Sequence, residues 1–261
     1  MPRKNTAHLW DKVWDDPHIS KANALILQSE AATILWSRIK DSVVSNFGNF
    51  KKLSVIEIGA GTGTYAALMA KMGAHVTVFD YSPKALQRAR DFFKENKLHA
   101  TFVQGDAFNL PKVIKDKKFD ISISIGLTEH FKGKRRIEIH KIHLDVLKKG
   151  GLSFISVPNK NNIPYRIFKL VSEITKTWKF GEEYPFSRKE LQTICKKVNG
   201  EYVTILGDEL YKSIKFLLPA NFLRRFFRVG SPRCSEEIRE ERGSVLDQFL
   251  GYSLVLVMRK I

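Results

Sequence analysis

Residues 54–66 read SVIEIGAGTGTYA. An apolar run (Val55, Ile56, Ile58) that breaks into Gly59, Gly61 and Gly63 has few structural solutions. A short strand must end there, and a turn must lead into a helix with its backbone free to approach a bound group, most often a nucleotide. A phosphate-binding P-loop needs Gly-Lys-Ser/Thr at the end of such a turn, and none is present. A dinucleotide fingerprint needs a further glycine where this chain has Thr64. The loop alone is ambiguous, so its surroundings must decide.

Those surroundings alternate strand and helix. A helical region over 8–47, with Leu25, Leu27, Ala31, Ile34, Leu35, Ile39 and Val43 at three- and four-residue steps, precedes the first strand at 53–58. A helix over Tyr65–Met72 ends at Gly73, and HVTVFD (75–80) is the second strand. Ser82-Pro83 has the chemistry of an N-cap followed by a first helical residue. Strands follow at 100–106, 119–126 and 152–158, the last after a basic helix over 133–148 and the pair Gly150-Gly151. Five such alternations predict a doubly wound α/β fold, a parallel sheet with helices on both faces. Beyond Asn159 the pattern changes. Residues 160–180 look helical, GEEYPFS (181–187) is a loop, RKELQTICKKV is a helix, and 201–208 and 250–260 are two late strands.

One domain of 261 residues accommodates all of this. Its parts are a helical cap at 1–50, a cofactor-binding core at 53–160, and cap segments at 160–186 and 210–249. The N-terminus lacks the apolar core of a secretory signal and no apolar run is long enough to span a bilayer, which makes a cytoplasmic protein, peripheral to a membrane at most, the expectation. Cys195 and Cys234 form no metal-ligand spacing. The net charge of +17 predicts attraction to polyanions, whether nucleic acid or anionic lipid.

Three further features line up with the glycine loop. Asp80 ends the second strand, where a carboxylate can accept from both hydroxyls of a ribose, although NAD would accept that arrangement too. Gly105-Asp106-Ala107 follows the third strand and puts a second carboxylate at the same sheet edge. The fourth strand ends in GLTEHF. For Asp80 and Asp106 the alternative is a plain cap or turn role, and for Tyr81 plain packing.

VIEIGAGTG, Asp80, GDAFNLP, FDISISIGLTEHF and LKKGGLSFISVPN, in this order over about residues 53–160, resemble the successive motifs of the class I S-adenosylmethionine-dependent methyltransferases, in particular the group that contains ubiquinone and menaquinone methyltransferases. The resemblance implies a Rossmann-like seven-stranded sheet with an antiparallel last strand. It implies S-adenosyl-L-methionine as the cofactor. Gly59, Ala60 and Gly61, with Gly63 in the same loop, would approach its methionine part, and Asp80 would hold its ribose. Tyr81 would lie against the adenine, Asp106 and Ala107 would read the adenine edge, Glu57 would orient the loop, and Ile125 would offer its backbone to the amino group.

Methyl transfer from a sulfonium needs alignment and desolvation, and for a hydroxyl or carbon acid a base. His130 is the first candidate and Glu129 the second; capping of the next helix is their alternative role. His140 and His143 lack a third ligand and are expected at the surface. Trp10, Trp14 and His18, with the segments 160–186 and 210–249, are placed to choose the substrate. Residues 212–233 interleave Lys212, Lys215, Arg224, Arg225, Arg228 and Arg233 with large apolar residues, as a lid, an anionic membrane contact or a nucleic-acid contact would. The favoured function is O- or C-methylation of a small apolar or lipid-like acceptor. The alternatives are an RNA methyltransferase and a non-catalytic cofactor-binding scaffold.

Overall fold

Burial on both sides explains why consecutive apolar residues dominate the strands, as parallel sheets require. In the computed structural model, which describes residues 5–15, 24–115, 117–208, 210, 213 and 243–261, a seven-stranded sheet has the order β3-β2-β1-β4-β5-β7-β6. Its strands are β1 (Ser54–Ile58), β2 (His75–Asp80), β3 (Thr101–Gln104), β4 (Phe119–Ile125), β5 (Leu147–Pro158), β6 (Gly200–Gly207) and β7 (Ser253–Lys260). β1 to β5 pair in parallel, and β7 runs antiparallel between β5 and β6. The chain leaves β1 toward β2 on one side and returns to β4 on the other, so the switch in strand order lies between β1 and β4.

Successive side chains point to opposite faces of the sheet. Val55, Ile121, Ile123, Phe154, Val255 and Val257 therefore pack on one side, against α3 (Ile34–Phe47), α4 (Thr64–Lys71) and α5 (Pro83–Glu95). Ile56, Ile58, Ile155, Leu254, Leu256 and Met258 pack on the other, against α7 (Gly133–Asp145) and α9 (Arg188–Lys197). The remaining described helices are α1 (Ala7–Asp15), α2 (Ala24–Ala31), the one-turn α6 (Leu110–Val113), α8 (Ile163–Ile174) and the one-turn α10 (Asp247–Leu250).

Several expectations are corrected. The helical region 8–47 is not continuous: Thr33 stands in extended geometry between α2 and α3 and caps α3 by accepting from the Trp36 amide. β5 begins at Leu147, so Gly150 and Gly151 lie inside the strand, where the β4–β5 register shifts between Phe119 and Ile121. His140 and His143 are fully buried under the sheet, with His143 Nδ1 3.2 Å from Ser122 Oγ and His140 Nδ1 2.7 Å from the Arg136 carbonyl. His18, Cys234 and, apart from Ser213, the basic segment 212–233 fall outside the described residues.

Candidate functional site

The glycine loop is pinned from three directions. Gly59 and Ala60 donate their amides to the Phe79 carbonyl, at 2.8 and 3.1 Å, which ties the loop to the end of β2. The Gly61 amide donates to Asp80 Oδ2 at 2.9 Å, and the Ser82 amide donates to Oδ1 at 2.9 Å. Glu57, buried in β1, accepts from the Ala66 amide at 2.6 Å and so holds the first turn of α4. Burial pushes its carboxyl up to about 8, against the opposing pull of that amide. Burial likewise raises Asp80, while the Ser82 and Gly61 amides favour its charged form.

Gly59 and Gly61 have left-handed backbones, φ +63° and +56°. A Cβ at Gly61 would stand 2.5 Å from the Trp14 ring, and one at Gly59 would stand 2.8 Å from Leu127. Gly63 belongs to the packing instead: a Cβ there would press on Val78 and Phe93, and it lines neither cavity described next.

Two cavities meet at the switch point. The first, of about 250 Å³, is lined by Gly59, Ala60, Gly61, Asp80, Tyr81, Asp106, Ala107 and Ile125. All but Glu57 and Gly63 of the cofactor residues expected from sequence thus converge here. Phe108, Phe131 and Arg135 join them, with Phe108 and Phe131 edge-on at 4.9 Å and the Arg135 guanidinium 4.1 Å from the Phe108 ring centre. Asp106 also caps the turn that follows it, accepting from the Phe108 amide at 2.9 Å, so its site and cap roles coexist.

α1 closes this cavity from above. Ser82 Oγ donates to Asp11 at 2.6 Å, and Lys84 pairs with Asp15 at 3.1 Å. Trp10 and Trp14 thereby line the cavity, Trp10 with its ring 4.9 Å from His130. His130 Nδ1 lies 2.7 Å from the Glu182 carbonyl, and Asn5 holds the same strap by donating to the carbonyls of His130 and Glu182. Burial lowers the His130 pKa, against its hydrogen bonds to the backbone of Glu182 and Gly126.

The second cavity, of about 370 Å³, shares Trp14, Ala60, Ile125 and Gly126 with the first. Glu30, Glu57, Glu129, Glu183 and Asp208 stand in its wall with Tyr65 and Tyr252. Glu129 is buried and its Oε2 has no hydrogen-bond partner among the described residues. Burial and the nearby Glu183 raise its pKa well above the usual carboxyl range. Glu183 accepts from the Tyr165 hydroxyl at 3.0 Å. Glu30, Glu183, Asp208, Tyr165 and Tyr252 had no motif to announce them, because they arrive from α2, the strap after α8, α8 itself and the ends of β6 and β7. The one available signal was the acidic pair in GEEYPFS.

A family model described as a methyltransferase domain matches residues 55–151. The ubiquinone biosynthesis O-methyltransferase of Rickettsia felis is 23% identical over 150 residues, which are 58% of this chain and 59% of that protein. The protein of the same name from Pelagibacter ubique is 30% identical over 141 residues, 51% of this chain and 55% of its own length. The chain thus spans somewhat more than half the length of these curated relatives. The magnesium protoporphyrin IX methyltransferase of Synechocystis, solved with bound SAH, superposes with a TM-score of 0.58 at 14% identity and covers 97% of this chain and 94% of its own. That likeness extends the shared fold beyond the matched domain.

Proposed function

We propose that this chain, a member of the class I S-adenosylmethionine-dependent methyltransferases, methylates oxygen or carbon of a small apolar or lipid-like acceptor. The observation that carries the reading is the convergence of Gly59–Gly61, Asp80, Asp106 and Ile125 on one cavity that opens into a second. Ligands of open α/β sheets sit at such a switch point.

The residues fit the cofactor. Gly59 and Gly61 let Leu127 and Trp14 close on the loop where a Cβ would stand, which shapes the cavity wall, and Asp80 presents a carboxylate beside them. Gly59, Ala60 and Gly61 would hold the methionine part, with the Ile125 backbone near its amino group. Asp80 would take the ribose hydroxyls, Tyr81 the adenine face, and Asp106 with Ala107 the adenine edge. When bound, S-adenosylmethionine supplies an electrophilic methyl group.

The chain's own contribution is positioning, desolvation and proton management. His130, kept neutral by burial, accepts the acceptor's proton, and the resulting imidazolium is held by the backbone of Glu182 and Gly126. Glu129, kept protonated by burial, serves as a hydrogen-bond partner for an acceptor oxygen. The second cavity, walled by acidic side chains whose neutral forms burial favours, offers hydroxyl donors and acceptors and suits an uncharged ring with hydroxyl groups. Relatives named for ubiquinone biosynthesis, and a structural neighbour named for magnesium protoporphyrin IX, support the same acceptor class.

The test is transfer of a labelled methyl group into a fractionated cell extract. Label is expected in the lipid or small-molecule fraction, and Asp80→Ala is expected to reduce it to background. Undiminished labelling by that variant would remove Asp80 from the site. Labelling of RNA, toward which the net charge of +17 points, would overturn the acceptor class.

A further inference from the structure

The strap between α8 and α9 carries part of the site but has little regular structure of its own. Over residues 181–187 its ladder contact is a bridge between Phe186 and Asn159. Neighbouring side chains point to opposite sides of it. Glu183 lines the second cavity, while Tyr184 lines an outer groove of about 530 Å³ between α7 and α9. Toward the site, the Glu182 carbonyl lies 2.7 Å from His130 Nδ1, and the Tyr184 amide donates to the Glu129 carbonyl at 2.8 Å. The position of the strap therefore sets where Glu183 stands and how His130 is held.

From outside, Arg136 pins it. This residue, in the first turn of α7, donates from Nη2 to the carbonyls of Tyr184 and Pro185 at 2.9 and 3.2 Å. Its guanidinium carbon stands 3.3 Å from the centre of the buried Phe186 ring. One planar cation thus touches Tyr184, Pro185 and Phe186 in succession. Its Nε lies 3.2 Å from Glu190 Oε1 in α9, an ion pair without hydrogen-bond alignment. α7, the strap and the start of α9 therefore meet at one guanidinium, on a side chain only 11% exposed. Lysine could not replace it, because a flat fork reaches two carbonyls and stacks on a ring, whereas an ammonium is a point charge. Arg136 lines neither cavity of the site, so whatever it does there it does through the strap.

We propose that Arg136 is a positioning residue of the acceptor site: by fixing the strap it places Glu183 in the second cavity and keeps the Glu182 carbonyl on His130. Its effect on transfer rests on the methyltransferase reading above; its hold on His130 does not.

The experiment is a histidine NMR titration of the full chain, of Arg136→Met, which keeps the apolar stem, and of Arg136→Lys, which keeps the charge. The His130 signal is assigned by its loss in His130→Gln. Burial holds the parent's His130 below the usual value of 6.5. Both variants free the strap and are expected to move that titration up toward 6.5, with Lys169 of α8, the cation that faces His130, present throughout. His143 is expected to stay neutral, and S-adenosylmethionine affinity by calorimetry to match the parent; together these report an intact fold. Labelled methyl transfer into the lipid or small-molecule fraction of an extract is expected to fall about tenfold or more in Arg136→Met. Its pH profile is expected to move upward. A higher His130 value shifts the acid limb, and Glu129, which faces Glu183 and Arg136, keeps its proton longer without the cation. A purely structural loss would lower transfer equally at every pH. A parent-like His130 titration in Arg136→Lys overturns the proposal, and so does one in a folded Arg136→Met; should the latter not fold, Arg136→Lys decides. A parent that does not bind S-adenosylmethionine, with the His130 shift intact, sinks the methyltransferase reading alone.

Discussion

Gly61 meets two constraints at one Cα. Its left-handed backbone disfavours any side chain by about 1–2 kcal/mol, and the Trp14 ring occupies the space a Cβ would need. Its amide also fixes Asp80. Gly61→Ala is therefore expected to weaken S-adenosylmethionine binding about tenfold or more, read by calorimetry; parent-like affinity would show that the cradle tolerates a methyl group. At this scale much of the candidate site was legible. The glycines, Asp80 and Asp106 could be read because a turn, a strand end and a short-range cap are local events. Trp14 against Gly61 could not be read as a contact, since the two residues meet only when α1 folds back over the sheet. Glu129 and His130 were legible as candidate proton-handling residues, but their protonation states were not, because these depend on burial and on Glu183 and Glu182 from a distant strap.

Elements showed where local chemistry can override periodicity. Apolar spacing continued through residues 8–47, but Thr33 Oγ1 accepts from the Trp36 amide and starts a new helix there. The same chemistry recurs at Asn162. Its side chain caps α8 and also donates to Ser213 Oγ and the Leu250 carbonyl. Asn162→Ala is expected to lower stability by about 1–3 kcal/mol in urea unfolding. Asn161→Ala, at the exposed neighbouring position, is expected to change it little. Equal effects would mean that the cap does not hold α8.

The whole molecule decides the response to acid. Burial lowers His140 to about 4 and His143 to about 3, so both stay neutral in the folded chain while unfolded histidine protonates near 6.5. Their folded values lie below the unfolded one, so stability is intact above about pH 6.5 and is lost as pH falls toward 4 and 3. Glu57, raised to about 8, has the opposite sign: its contribution is present below about pH 4.5 and is lost as pH rises toward 8. The two effects oppose each other between these limits, so the informative measurement is a difference. Urea midpoints of His143→Gln are expected to fall less than those of the parent from about pH 7 to about pH 5; equal slopes would show that His143 charges freely. The α/β class and the glycine turn after β1 were written in the sequence alone, because strand-end motifs and two-sided burial are short-range patterns repeated in order, while the cofactor was an expectation that the family resemblance carried. The burial of His140 and His143 and the gathering of five carboxylates around one cavity were decided only by the tertiary structure. Each depends on which distant elements pack together, and residue spacing along a single helix or strap cannot say which of its faces the rest of the chain will cover.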